Sequence, residues 1–466
     1  MMLRTIAQGR CGGAISRQWL KQPFHSLGLN PTLVDALKKS GIETPSQVQC
    51  LAIPMILDKA RPDVIVGAET GSGKTLTYVL PLLERLASSP SSSTERPKLR
   101  KPVAVIMVPN QELVKQIESV VRMCDPSLHL ACLTKTHPIP RHAAVVVGTP
   151  KAILQHASPK DLEFVETIVV DEADMLLGGG FERDTKQVLG VIRNQPLLAA
   201  HLNVFVDDYD AGAAESAVTK ARHGRQTIFS AATIPTYGRL AVSEYLKHKF
   251  PHAEYAITDQ FHRTVPTLDQ SFLHLDDEST AARQALLLEI LKKDTSTGGC
   301  TLVFTDSVAS AKNVHAFLQD EGIACTMLHK EIPREERSAV LTSQSSDPSE
   351  KQIIVATDIA ARGLDLRHVH HVIQYEFATN VVAHIHRIGR TARGGSTGKV
   401  TNIVTPANAL VYKEIAAAGA RGALTEGFSR RRSLRKKFKK VAREGQRDRD
   451  SDSSPRSTAR LPRSFR

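Results

Sequence analysis

The sequence predicts an α/β protein of two tandem parallel sheets, each flanked by helices, with a disordered basic tail behind them. Three observations carry this. Short Val/Ile-rich runs alternate with helical segments along most of the 466 residues, and continuous apolar strands are what a parallel sheet covered on both faces requires. The alternation runs through two series joined by TDQFHRTVPTLDQ, around 258–268, so two sheets are expected. The composition, 41% hydrophobic and 23% charged, is that of a packed protein and excludes wholesale disorder.

The first series contains DVIVGA (63–68), PVAVIMVP (102–109), AAVVVG (143–148), TIVVDE (167–172) and QTIFSAA (226–232). The second contains CTLVFTD (300–306), QIIVATD (352–358) and HVIQYE (371–376). Two stretches interrupt the pattern. SSPSSSTERPKLRKP (88–102) reads as a polar loop. Residues 195–224, rich in Ala and acids, read as a surface insertion. The longest apolar runs are far too short to span a bilayer, so no membrane partner is expected. The six cysteines are scattered without a Cys-x-x-Cys pair, which argues against a disulfide scaffold and a zinc cluster.

Charge divides the chain. Of the net +13, residues 430–466 carry +11, from 15 Lys/Arg against 4 Asp/Glu. Residues 1–34 carry +4 with no acid, which leaves a slightly acidic body. The tail is therefore the part expected to meet phosphate, with Phe438 in RRRSLRKKFKK (430–440) placed to stack on a base. A nuclear localisation signal and a solubilising tail are the alternatives. Residues 1–23 hold Arg4, Arg10, Arg17 and Lys21 and no Asp or Glu, the composition of a mitochondrial transit peptide. The alternative there is a disordered N-terminus; nuclear, nucleolar or chloroplast placement is the second expectation for the chain.

VIVGAETGSGKT (64–75) is a strand, a Gly-rich turn and a Lys-Thr pair that opens a helix. Backbone N–H groups of such a turn, Ala68, Glu69, Thr70, Gly71, Ser72 and Gly73, surround an anion. The helix N-terminus adds a favourable dipole. Lys74 reaches the β- and γ-phosphates of ATP, and the Thr75 hydroxyl binds Mg²⁺. A second anchor for that ion is a carboxylate at a neighbouring strand end. TIVVDEAD (167–174) supplies it: Asp171 holds Mg²⁺ through water, and Glu172 orients and deprotonates the attacking water.

With these motifs the chain resembles the DEAD-box RNA helicases, whose eponymous motif is Asp171-Glu172-Ala173-Asp174. The resemblance runs from about residue 24 to 420, with motifs in family order. It implies two RecA-like lobes: a first over 24–258, carrying the insertion at about 195–224, and a second over 265–420, between the 1–23 segment and a 427–466 tail. GIETPSQVQ (41–49) resembles the adenine-reading segment, so Gln49 is expected to bond the adenine edge and Phe24 to stack on the ring. PNQELV (109–114) and GTPKA (148–152) resemble two RNA-contact motifs. These bring Pro109, Glu112, Thr149 and Pro150 to RNA, but Gln111 and Ala152 stand where basic side chains are usual.

FSAATIP (229–235) resembles the Ser-Ala-Thr coupling motif with one extra alanine. Either Ser230 is the motif serine, or Ala231-Ala232-Thr233 aligns and the serine is lost. In the second lobe the resemblance assigns Arg337, Thr357 and Gly363 to RNA and Asp365 to the nucleotide ribose. In HRIGRTAR (386–393) it gives His386 a coupling role and makes Arg387 and Arg390 the arginine fingers at the γ-phosphate. The activity implied is RNA-stimulated hydrolysis of ATP with Mg²⁺, coupled to local duplex opening or RNP remodelling by a monomer. Ribosomal or other structured RNA, RNP assembly proteins and an organellar ribosome-assembly pathway are the expected setting. An ATP-dependent RNA clamp with weak unwinding is the alternative, and a DNA-stimulated ATPase the more remote one.

Overall fold

β1 (Val64–Gly67) is buried on both faces, Val64 and Val66 packing into one hydrophobic cluster and Ile65 into another. The same alternation recurs in β2 (Ala104–Met107), where Ala104 and Ile106 face the first cluster and Val105 and Met107 the second. That is the period-2 signature of a strand covered by helices above and below. The structure is a computed structural model that describes residues 22–88, 102–133, 139–140, 143–194, 225–234, 242–261, 267–294, 298–333, 336–337, 339–340, 351–358, 366, 368–393 and 396–420. The insertion 195–224, the tail 427–466, nearly all of the loop 88–102 and all but the last two residues of the 1–23 segment lie outside these, as do Gly363 and Asp365.

The first sheet adds β3 (Leu130–Leu133), β4 (Val145–Gly148), β5 (Thr167–Asp171), β6 (Gln226–Ala231) and β7 (Glu254–Ile257). Its order is β3-β4-β2-β5-β6-β1-β7, with every pairing parallel. The second sheet comprises β8 (Leu268–His274), β9 (Gly299–Thr305), β10 (Thr326–Leu328), β11 (Lys351–Thr357), β12 (Val369–Gln374) and β13 (Gly398–Val404). Its order is β10-β11-β9-β12-β13-β8, again all parallel. The eight strands expected from the sequence are all present. β3, β7, β8, β10 and β13 are additional.

The first order decides where chemistry is placed. β5, β6 and β1 lie side by side. The phosphate loop after β1, the Asp171-Glu172 turn after β5 and the Ser230–Thr233 stretch at the end of β6 therefore open at one edge of the sheet. Ligands of parallel sheets bind at this carboxyl edge, where strand order changes direction.

Candidate active site between the lobes

The helix Lys74–Ala87 starts from Gly73, and Gly71 and Gly73 both hold left-handed φ values of 80° and 85°. A Cβ at Gly73 would lie 2.5 Å from Gln49 Nε2, and one at Gly71 2.9 Å from Arg393 Cγ. Conformation and space both demand glycine here. The Lys74 ammonium donates to the Ala68 and Glu69 carbonyls at 2.9 and 2.8 Å. Ser72 Oγ donates to Glu69 O at 2.7 Å, and Thr258 Oγ1 donates to the Glu69 carboxylate at 3.0 Å. The loop is thus braced before any ligand is considered. Burial lowers the Lys74 pKa, opposed by the negative Glu172 and Asp171.

Asp171 ends β5 as a buried carboxylate that accepts from Tyr78 Oη at 2.9 Å. Burial, then the adjacent Glu172 charge, raises its pKa. Glu172 follows in the left-handed region at φ 50°, a conformation that non-glycine residues take where the surroundings enforce it. Ser230 pairs with Asp171 in the β5–β6 ladder, and Thr233 Oγ1 donates to the Asp174 carboxylate. So the extra alanine costs the coupling motif neither end: Ser230 lies against the first acid and Thr233 against the last, with Ala232 buried between.

The second lobe closes over this edge. The helix Val381–Ile388 brings His386 Nε2 to 2.9 Å from Asp174 Oδ2 and Nδ1 to 3.8 Å from Glu172 Oε2. One turn on, the Gly389 carbonyl accepts from Thr70 Oγ1 of the phosphate loop at 2.9 Å. A third interlobe contact is the Arg337–Glu112 ion pair at 2.7 Å.

Five of the expected site residues need correction. Arg387 is not directed at the phosphate loop. It is 1% exposed and bonds Asp358 through Nε at 2.6 Å, Asp306 through Nη2 at 2.7 Å and the Glu376 carbonyl through Nη1 at 2.5 Å. It ties the ends of β11, β9 and β12 together inside the second lobe. Arg393, not among the residues expected from sequence, has its stem against Gly71 while its Nε donates to Gly389 O at 3.1 Å. Spacing alone held no signal, since Arg387 and Arg393 each lie three residues from Arg390; the turn after the helix Val381–Ile388 is what brings Arg393 to the loop. Arg390 is buried, with Nε on His386 O at 3.1 Å.

Phe24 is a core residue, 2% exposed in the short 3₁₀ turn Phe24–Leu27, with no ring face open for adenine. The Gln49 amide is committed inside the protein: Oε1 accepts from Ser46 N at 2.9 Å and Nε2 donates to Gly73 O at 3.2 Å. It buttresses the phosphate loop rather than presenting an open edge. Finally, Glu112 and Arg337, both expected on RNA, neutralise each other across the lobes.

Of the remaining RNA candidates, Pro109 is buried behind β2, and Thr149 caps the helix Pro150–His156, accepting from Ala152 N at 3.3 Å. Thr357 ends β11 as a buried residue. The two departures from the usual motifs are structural as well as chemical. Gln111 Nε2 is spent on the Leu133 carbonyl at 3.3 Å, and Ala152 is buried, although Lys151 beside it is exposed.

Two parallel-sheet lobes with a phosphate loop, an acidic strand end and basic residues facing it from the second lobe define a nucleotide hydrolase with its site between the lobes. Known proteins narrow the class. A DEAD/DEAH box helicase model matches residues 46–240, and a helicase conserved C-terminal domain model matches 282–395. DEAD-box ATP-dependent RNA helicase 22 of Oryza sativa is 33% identical over 494 residues, covering 90% of this chain and 84% of that protein. Its Arabidopsis thaliana namesake is 31% identical over 493 residues, with the same coverage. The structure of Mss116p bound to ssRNA and AMP-PNP has TM-score 0.70 and 22% identity, over 86% of this chain and 77% of that one. S. cerevisiae Dbp5 bound to RNA and ADP BeF3 has TM-score 0.67 and 24% identity, over 85% and 93%. These two likenesses concern the fold. The chain belongs to the DEAD-box family of ATP-dependent RNA helicases. Its reaction is hydrolysis of ATP to ADP and phosphate, coupled to work on RNA.

Proposed function

We propose that this chain opens short RNA duplexes or remodels RNP by closing its lobes on ATP and RNA and reopening after hydrolysis. The observation that carries this is His386, which spans from the second lobe to both Asp174 and Glu172 of the first. Lys74 would exchange the Ala68 and Glu69 carbonyls for the β/γ-phosphates. Glu172 would orient and deprotonate the attacking water, held in place by its backbone and by His386. Arg390 and Arg393 would meet charge that develops on the γ-phosphate as the lobes close.

The donor set fits Mg²⁺. Asp171 is a buried carboxylate beside a second acid, and Thr75 adds a hydroxyl, an all-oxygen set that suits a hard cation. Held by Asp171 and Thr75, the ion would supply positive charge against the phosphates. Burial and Glu172 raise the Asp171 pKa, and the Tyr78 hydroxyl and the Lys74 ammonium oppose that rise in favour of the ionised ligand.

The clamp reading keeps specific support. Gln111 and Ala152 offer no charged donor, and Glu112 and Arg337 are paired. Losing one charged phosphate hydrogen bond costs about 1.5–3 kcal/mol. ATP turnover and strand release measured side by side separate the two. Release of a short duplex with turnover is the expected result; turnover without release establishes the clamp. In the same assays Glu172→Gln should bind ATP and RNA yet stall closed, and normal turnover would remove its water-activating role.

We also read the acid-free, Arg-bearing 1–23 segment as mitochondrial targeting, with organellar ribosome assembly and its RNP proteins as the setting and a monomer as the working unit. A reporter fused to that segment should enter mitochondria; a cytosolic or nucleolar signal would overturn this.

A further inference from the structure

At the amino ends of the second sheet's strands, opposite the ATP edge, two histidines converge on one carboxylate oxygen. Asp294 caps the helix Thr280–Lys293. Its Oδ2 lies 3.1 Å from His370 Nε2 and 3.1 Å from His371 Nδ1, and the three ligand atoms all fall within 4.8 Å of one another. We infer that Asp294, His370 and His371 form a binding site for a divalent transition-metal ion that favours imidazole, with Zn²⁺ the best fit.

Backbone construction is the first support. Consecutive strand residues point to opposite faces, so neighbouring histidines ordinarily cannot share a partner. Here the β12–β9 register shifts between Val369 and His371, and His368 just before takes a left-handed φ of 55°. Bulges re-aim side chains in this way and occur next to functional sites. Gly299, at φ 86°, completes the arrangement: a Cβ there would lie 3.0 Å from the His368 carbonyl and 3.1 Å from His370 Nδ1. Three irregular backbone positions thus meet at one side-chain cluster.

Ligand geometry is the second. A tetrahedral ion about 2.0–2.2 Å from nitrogen and oxygen ligands sets them about 3.3 Å apart, close to the 3.1 Å from the Asp294 oxygen to each imidazole nitrogen. His371 Nε2 contacts Thr401 Oγ1 at 2.9 Å, the outer partner that orients a ligating imidazole. The site is closed at the back and open in front. The His371 side chain is fully buried and that of Asp294 is 7% exposed, while His370 is 26% exposed, so solvent reaches the cluster from the His370 side. Two nitrogens and a carboxylate suit Zn²⁺ better than Mg²⁺, which takes oxygen.

The test is Zn²⁺ titration of the full chain, stripped of metal, against a chromogenic chelator. One ion per chain should bind, and His370→Gln and Asp294→Asn should each weaken it at least about 10-fold, since even outer-partner losses cost 10–100-fold. His386→Gln should leave it unchanged; it removes the histidine of the other carboxylate–histidine group, Glu172, Asp174 and His386. The wild-type chain loaded with Co²⁺ should show the visible absorption of a tetrahedral ion, and His370→Gln should lose it. His370 is partly exposed, so its variant, checked by circular dichroism, keeps the test decisive even if Asp294→Asn fails to fold. Absence of stoichiometric zinc, equal affinity in His370→Gln, or loss in His386→Gln alone would overturn the site.

Discussion

Two arginines six residues apart do different work. Arg387 is sealed among Asp306, Asp358 and the Glu376 carbonyl. Removing it leaves Asp306 and Asp358, 37% and 25% exposed, without their cation, so the cost lies below the roughly 3–5 kcal/mol of a fully buried pair. Arg387→Ala should therefore lower the unfolding midpoint of the chain. Arg393→Ala should leave that midpoint nearly unchanged and cut ATP turnover by about 10³–10⁵, with little change in nucleotide affinity. Thermal unfolding and steady-state turnover of the two variants check this; equal stability of both would contradict it. The sequence could not separate them, because both arginines lie in one motif and which acids surround each is a matter of tertiary packing. The phosphate loop and Asp171-Glu172 were legible because their chemistry depends on neighbours in the chain. Phe24 was not: its ring is claimed by a core assembled from Leu27, Val48 and Ile53, partners up to 29 positions away.

The same contrast holds for the elements. The eight strands read from sequence are interior runs buried almost throughout, such as β5 and β6. β3 and β7, by contrast, are edge strands four residues long and partly exposed. β13 is interior yet carries Lys399, Thr401 and Asn402, which breaks the apolar pattern. It is tolerated because its buried polar groups are satisfied: Asn402 Nδ2 donates to Ser271 O at 2.8 Å, and Asn402 Oδ1 accepts from Gln374 at 2.8 Å. The helix Val381–Ile388 adds a titrating group to this polar layer. His384 is fully buried beside Gln374 and Gln270, and burial, then Arg387, lowers its pKa from 6.5 to about 3. The unfolded chain then binds the proton that the folded chain refuses. The His384 contribution to stability is present in full above pH 6.5 and falls by up to about 1.4 kcal/mol per pH unit below it. Chemical denaturation between pH 7 and 5 should show this slope, and His384→Gln should flatten it by about 2 kcal/mol at pH 5. An unchanged slope in the variant would remove His384 from the account.

For the whole molecule, charge and chemistry lie in different parts of the chain. Residues 430–466 hold +11 of the +13, while the first lobe lacks basic contacts at Gln111 and Ala152. We expect the tail to supply much of the RNA affinity through counterion release. Each phosphate neutralised on a single strand contributes about −0.7 to the slope of log K against log salt. If the tail meets roughly five phosphates, a chain ending at Gly427 should lose about 3 to 4 units of slope. Basal ATP turnover and choice among RNA sequences should barely change, since phosphate contacts position without specifying. Equal slopes would leave the tail a nuclear signal or inert.

We expect hydrolysis and RNA work to be coupled where the second lobe grips the acids of the first. The most direct measurement is ATP turnover with and without single-stranded RNA in the full chain and in His386→Ala. His386 reaches Asp174 and Glu172 across the lobes without contributing to the phosphate loop. The wild-type chain should be stimulated by RNA; His386→Ala should still bind ATP and RNA but lose most of that stimulation. Undiminished stimulation in the variant would show that the coupling does not run through His386.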